Sequence, residues 1–161
     1  MHARNIAVVT VAVSLAFSLS ACGAGTNAPT AMINQVTDGV DGSITTYGNN
    51  LSVRSVLLVT QADGSAVIVG TIVNENPMPD TLLGITVGGI SATLSLPTIS
   101  LKQNSPIRFT GDTANASAVV PGLNAAAGTR VKVQLSFASA GQLTLDAIVR
   151  ERSGAYANVG A

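Results

Sequence analysis

The chain has 161 residues, of which 10% are charged, and eight basic side chains balance eight acidic ones. A surface this neutral has no basic stripe for nucleic acid and no polybasic patch for anionic lipid. With one cysteine, one histidine and no tryptophan, the chain can form no internal disulfide.

The chain opens on a short basic start, His2 and Arg4, followed by an apolar run from Ile6 to Leu19. A spanning helix needs about 20 apolar residues, so this run fits a cleavable export signal, with small residues ahead of the cut. Leu19-Ser20-Ala21-Cys22 matches a bacterial lipobox residue for residue. That match implies a diacylglyceryl group on the Cys22 thiol and cleavage just before it. Two acyl chains hold a protein on a membrane where one does not. Residues 1–21 are therefore expected to be a lipoprotein signal peptide, and the mature protein to sit lipid-anchored on the extracytoplasmic face of the cell membrane. His2 leaves with the signal and Cys22 is blocked. Ser-His-Asp and Cys-His catalysis and histidine-containing zinc sites are then excluded.

Residues 22–49 read as the lipidated cysteine and a flexible tether, because Gly23 to Thr30 is small, polar and broken by Gly and Pro. A tether of about 20 residues has a root-mean-square span near 25 Å. Asp38-Gly39-Val40-Asp41-Gly42-Ser43 lacks the alternate acidic positions of an EF-hand and reads as a turn, with a short first strand over Ser43 to Tyr47.

From Leu51 onward the pattern has period two. Leu51, Val53, Leu57 and Val59 share one face, Asp63-Gly64 turns the chain, and Ala66 to Val73 returns. Asn74 to Asp80, with Pro77 and Pro79, is a loop. Thr81 to Val87 and Ile90 to Leu96 are strands about Gly88-Gly89, Ile107 to Phe109 is a short strand, and Asp112 to Asn115 is a loop. Asn124 to Ala127 has room for one helical turn. Val131, Val133, Leu135 and Phe137 alternate strictly with polar residues, and Leu143, Leu145, Ala147 and Val149 do so with one apolar exception, Ile148; this is an antiparallel hairpin with one wet face. The fold expected is an all-β antiparallel sandwich of about seven to nine strands over residues 50–152, with a C-terminal tail at 153–161.

Four blocks in order then resemble a known family. They are Asn74 with Asp80-Thr81-Leu82-Leu83-Gly84-Ile85, Val119-Val120-Pro121-Gly122-Leu123, Gly128-Thr129-Arg130-Val131-Lys132-Val133, and Phe137-Ala138-Ser139-Ala140-Gly141-Gln142-Leu143. Together they resemble the periplasmic copper(I) chaperones of the PCu(A)C type, over roughly residues 50–150. Within that family the chain resembles the actinobacterial LpqE-type lipoproteins, a divergent branch. The resemblance implies a cupredoxin-like Greek-key sandwich. It also implies Cu(I) held by two His and two Met. The block bearing the family's His-x-Met falls here on Ser117-Ala118-Val119, and the other pair falls within Ile90 to Leu101, which holds neither residue type. No metal ligand and no cofactor is expected.

Met32 and Met78 are the thioethers left after the signal. Met78, between two prolines, reads as a loop residue packed on the end of the sandwich, and its alternative is a weak copper or partner contact. Asp80 reads as a side-chain-to-backbone bond ahead of its strand rather than a catalytic acid. Asn115-Ala116-Ser117 matches a glycosylation acceptor by chance. The expected function is a non-catalytic accessory module held to the membrane through Cys22, contacting a membrane protein complex such as an oxidase or an envelope component. The alternative is a copper(I) chaperone with a non-standard site at Met78, Met32 or main-chain groups. A carboxylate-based hydrolase has no pair of acids at an interpretable spacing.

Overall fold

The computed structural model describes residues 38–160. The expectations for the signal peptide, Cys22, Met32 and the tether up to residue 37 lie outside the described residues. Eleven strands make up the domain: β1 Val40–Ile44, β2 Leu51–Thr60, β3 Ala66–Asn74, β4 Asp80–Val87, β5 Ile90–Ser91, β6 Thr93–Leu94, β7 Ile99–Leu101, β8 Ile107–Arg108, β9 Ala118–Val120, β10 Arg130–Phe137 and β11 Gly141–Arg150. The only helical elements among the described residues are two 3-10 turns, Thr46–Gly48 and Gly154–Tyr156, so no described helix is long and apolar enough to cross a membrane.

The all-β sandwich expected from the alternation is what forms. Strands follow the order β5-β4-β10-β11-β2-β3-β9-β6. Three of the long strands each divide one edge between two partners. β7 and β5 divide β4, β9 and β8 divide β3, and β1 and the end of β11 divide β2. The final hairpin keeps full register from Arg130 opposite Ile148 to Phe137 opposite Gly141. Leu51, Val53, Val56, Leu58, Ile68 and Ile72 from one layer meet Leu82, Ile85, Val133, Leu135, Phe137 and Leu145 from the other in one core.

Several expectations are corrected. Asp38 to Ser43 is not a turn, since β1 begins at Val40, and residues 40–49 belong to the domain rather than to a tether. The tail at 153–160 is also packed: the Tyr156 hydroxyl donates to Asp38 at 2.9 Å, and Gln61 donates to the Val159 carbonyl at 3.3 Å. Asn124 to Ala127 takes no helical turn; Asn124 has φ 47° and its N–H donates to the Gly64 carbonyl at 3.0 Å. The span from Ile90 to Leu96 is two strands, because β5 pairs with β4 while β6 crosses to β9.

The face assignment in β2 also changes. Register with β3 slips between Arg54 and Leu57, and Ser55 sits at φ 54°, so the strand carries a bulge. An extra residue inverts the phase of everything after it. Val56 and Leu58 therefore join Leu51 and Val53 in the core, while Leu57 and Val59 are buried on the opposite face. β1 seals the bulge. Asp41 accepts from the Ser55 N–H at 2.6 Å and pairs with Arg54 at 3.3 Å. Gly39 passes so close that a Cβ there would lie 2.3 Å from the Ser55 carbonyl carbon.

Candidate functional site

Two places in the fold collect the residues singled out from the sequence. The first is the corner where β6 meets β9. Thr93 lies opposite Val119 and Leu94 opposite Ala118. One step on, the Ser95 N–H donates to the Ser117 carbonyl at 2.9 Å, and the Ser117 N–H donates to the Ser95 hydroxyl at 3.1 Å. The fold thus brings together the two segments, Ile90 to Leu101 and Ser117 to Val119, that the resemblance assigned to metal ligands. Thr93, Ser95 and Ser117 are exposed and Val119 is half-buried, whereas Ala118 and Val120 between them point into the core.

The donor set at this corner does not fit Cu(I). That ion selects thiolate, thioether and imidazole donors, and the corner offers three neutral hydroxyls and an isopropyl group. Among the described residues no three His, Cys, Asp or Glu side chains gather to hold a metal. Asn115, two residues before Ser117, is engaged in the fold: its Oδ1 accepts from the Arg108 N–H at 2.8 Å and its Nδ2 donates to the Pro106 carbonyl at 3.0 Å. Beside the corner, Leu83, Leu94, Leu96 and Pro97 line a cleft of about 430 Å³, and Leu83 and Leu96 are both exposed.

The second place is the loop after β3. Asn74 is buried, and its amide donates to the carbonyls of Met78 at 2.9 Å and Leu101 at 3.0 Å while its oxygen accepts from the Asn76 N–H at 3.0 Å. Asn76 repeats the motif, accepting from the Met78 N–H at 3.0 Å and donating to the Gly48 carbonyl. Buried amides must be paired, and here the pairing forces the loop into one shape. That shape holds Met78 out at 75% exposure, against the expectation that it packs on the sandwich end. Tyr47, missed in the sequence, stands fully exposed at φ 55°, ψ 35° across a cleft of about 410 Å³ that Met78, Pro79 and Asp80 also line. A tyrosine beside glycine, Tyr47-Gly48, was the signal available.

Asp80 is a structural acceptor, as expected. One oxygen accepts from the N–H groups of Thr81 at 2.7 Å and Ser139 at 2.9 Å, the other from Ala140 at 2.9 Å. The Asp80 block and the Ala-Gly hairpin block are therefore one bonded unit. Among acids with a perturbed affinity for protons, Asp38 is held below the usual carboxylate range, chiefly by the Tyr156 hydroxyl and then by Arg150, which bonds it at 2.5 Å. Asp63 is lowered by the Ser65 hydroxyl and amide that close the β2–β3 turn. Burial, and then the bond to Asp38, raises Tyr156. These shifts belong to the fold: Asp38 shares a cleft of about 560 Å³ with Glu151, Arg150 and Tyr156, and its carboxylate is taken up by the bonds to the last two.

No protein-family model matches the chain, and no curated protein matches it. Solved structures do. The copper-bound PCuAC domain from PmoF2 superposes with a TM-score of 0.55 at 19% identity, covering 63% of this chain and 92% of that one. The apo PCuAC domain from PmoF1 gives 0.53 at 23% identity, covering 63% and 93%. The apo PmoF2 PCuAC domain gives 0.53 at 18% identity, covering 65% and 92%. The chain has the fold of a PCuAC domain. At these identities the likeness shows the fold alone.

Proposed function

We propose that this chain is a non-catalytic, copper-chaperone-like accessory protein at the extracytoplasmic face of the membrane, anchored through a lipid on Cys22. It resembles the LpqE-type branch of that family, and its work is contact with a membrane protein complex such as a respiratory oxidase, or with an envelope component. One observation carries this reading: a PCuAC-type sandwich whose two ligand segments meet at Thr93, Ser95, Ser117 and Val119 with no soft donor among them. Exposed Tyr47 and Met78, held on cross-braced loops, supply the residue types that are enriched at contact surfaces. Affinity purification from mildly solubilised membranes tests it. The protein is expected to bring down a membrane complex, and its recovery alone from intact membranes would reject the contact role. A Cys22→Ala protein is expected to lose fatty-acid label.

The second reading is a copper(I) carrier with a non-standard site. The likeness to PCuAC domains supports it more directly than it supports contact alone, and the exposed Met78 thioether is the one described soft donor. The chemistry of one thioether weighs against it. Competition against a Cu(I) chelator separates the two. Binding in the micromolar range or tighter that Met78→Leu removes selects the carrier, and no binding selects contact.

A further inference from the structure

Thr93, Ser95, Ser117 and Val119 stand on the outward face of β6 and β9 as two directly opposed pairs. Opposed Cβ atoms in an antiparallel pair lie about 4.5–5.5 Å apart, so four side chains placed this way converge on one small volume. In this chain the corner is closed by protein atoms. Past Leu94 the chain turns away toward Leu96 and Pro97, and the ladder is extended by a side chain: the Ser117 N–H donates to the Ser95 hydroxyl at 3.1 Å while the Ser95 N–H donates to the Ser117 carbonyl at 2.9 Å. Behind the latch, Ala118 and Val120 are fully buried, which fixes β9 in register with Val67 and Ala66 of β3.

We propose that the Ser95 hydroxyl is a latch that holds these two segments together without metal, in the place where an ion shared between them would otherwise do so. The disagreement between the fold and the donor set is then a replacement: a hydrogen bond within the chain takes over the closing of the corner. The latch is independent of whether the protein works by contact or carries Cu(I) at Met78, because the two places are built from different loops.

The test follows hydrogen exchange at the Ser117 amide by NMR in the purified full chain, for wild type, Ser95→Ala and Ser95→Thr, each with and without excess Cu(I) under reducing conditions. Ser95→Ala is expected to speed exchange at Ser117 by about fivefold or more, from the net worth of one hydrogen bond. Ser95→Thr, which keeps the acceptor, is expected to retain the wild-type rate. Cu(I) is expected to leave the Ser117 amide of the wild type unchanged, while the Met78 methyl signal reports separately on the carrier reading. An unchanged Ser117 rate in Ser95→Ala overturns the latch. So does protection or shift of the wild-type Ser117 amide by Cu(I). If Ser95→Ala does not fold, the metal arm on the wild type and the Ser95→Thr rate still decide.

Discussion

Asp80 shows how much of this domain hangs on single polar side chains. The residue is only 8% exposed, and its carboxylate accepts three backbone N–H groups, two of them from the turn between β10 and β11, 59 and 60 residues away. Removing the acceptor strands those donors, and an unmade bond to a buried group costs more than a made one returns. Asp80→Ala is expected to lower stability by about 3 kcal/mol, read as the shift in urea midpoint at constant slope. Asp80→Asn, which keeps one oxygen but turns an NH2 toward a donor, should fall between the two. A midpoint unchanged in Asp80→Ala would mean that the hairpin turn holds itself. Asn74 is the second such residue, since its one buried amide braces both the Met78 and Leu101 carbonyls.

At the scale of the element, β2 is where sequence and structure part, and the cause is the bulge. Strict alternation made β10 and β11 legible: polar residues mark the wet face there, and the hairpin register has no slip. In β2 the four residues Val56-Leu57-Leu58-Val59 are all apolar, so a count by twos cannot sense that Ser55 adds a residue. The three-residue strands β7 and β9 escaped notice because three residues carry no period. The β6–β9 corner was legible only as an absence of donors. The Ser95–Ser117 bonds depend on a crossover between layers at Ala92 that no local pattern encodes. The bulge makes a paired prediction. Ser55 occupies the left-handed region, which costs an L-residue about 1–2 kcal/mol and glycine almost nothing. Ser55→Gly is therefore expected to be neutral to stabilising, by about 0.5 kcal/mol after glycine's added entropy in the unfolded chain. Gly39→Ala drives a methyl into the Ser55 backbone and should cost about 3 kcal/mol or more. Thermal melts of the two variants check the sign, and a stable Gly39→Ala protein would show that β1 can shift away from the bulge.

For the described domain as a whole, the contact that joins its first residues to its last is Asp38 with Arg150 and Tyr156, spanning 112 and 118 residues. Asp38 stands two residues before β1, so this cluster ties the C-terminal segment to the start of the first strand. Its dependence on pH follows from the direction of the shifts. Asp38 binds protons more weakly in the folded chain than in the unfolded one. Its contribution is present above the ordinary carboxylate range and is lost as pH falls below about 4, through the lowered folded value. Tyr156 is shifted upward, so its contribution is complete below about pH 10 and is lost as pH rises through the raised value. Between these limits stability should be flat as far as this cluster is concerned. Melting temperature against pH for wild type and Asp38→Asn checks the acid limb. The wild type should melt higher at pH 6–7, and the gap should close as pH drops past the ordinary carboxylate value. Tyr156→Phe should remove the alkaline limb and leave the acid limb weakened, because Arg150 still faces Asp38. A gap between wild type and Asp38→Asn that persists undiminished at low pH would mean that Asp38 acts through something other than its charge.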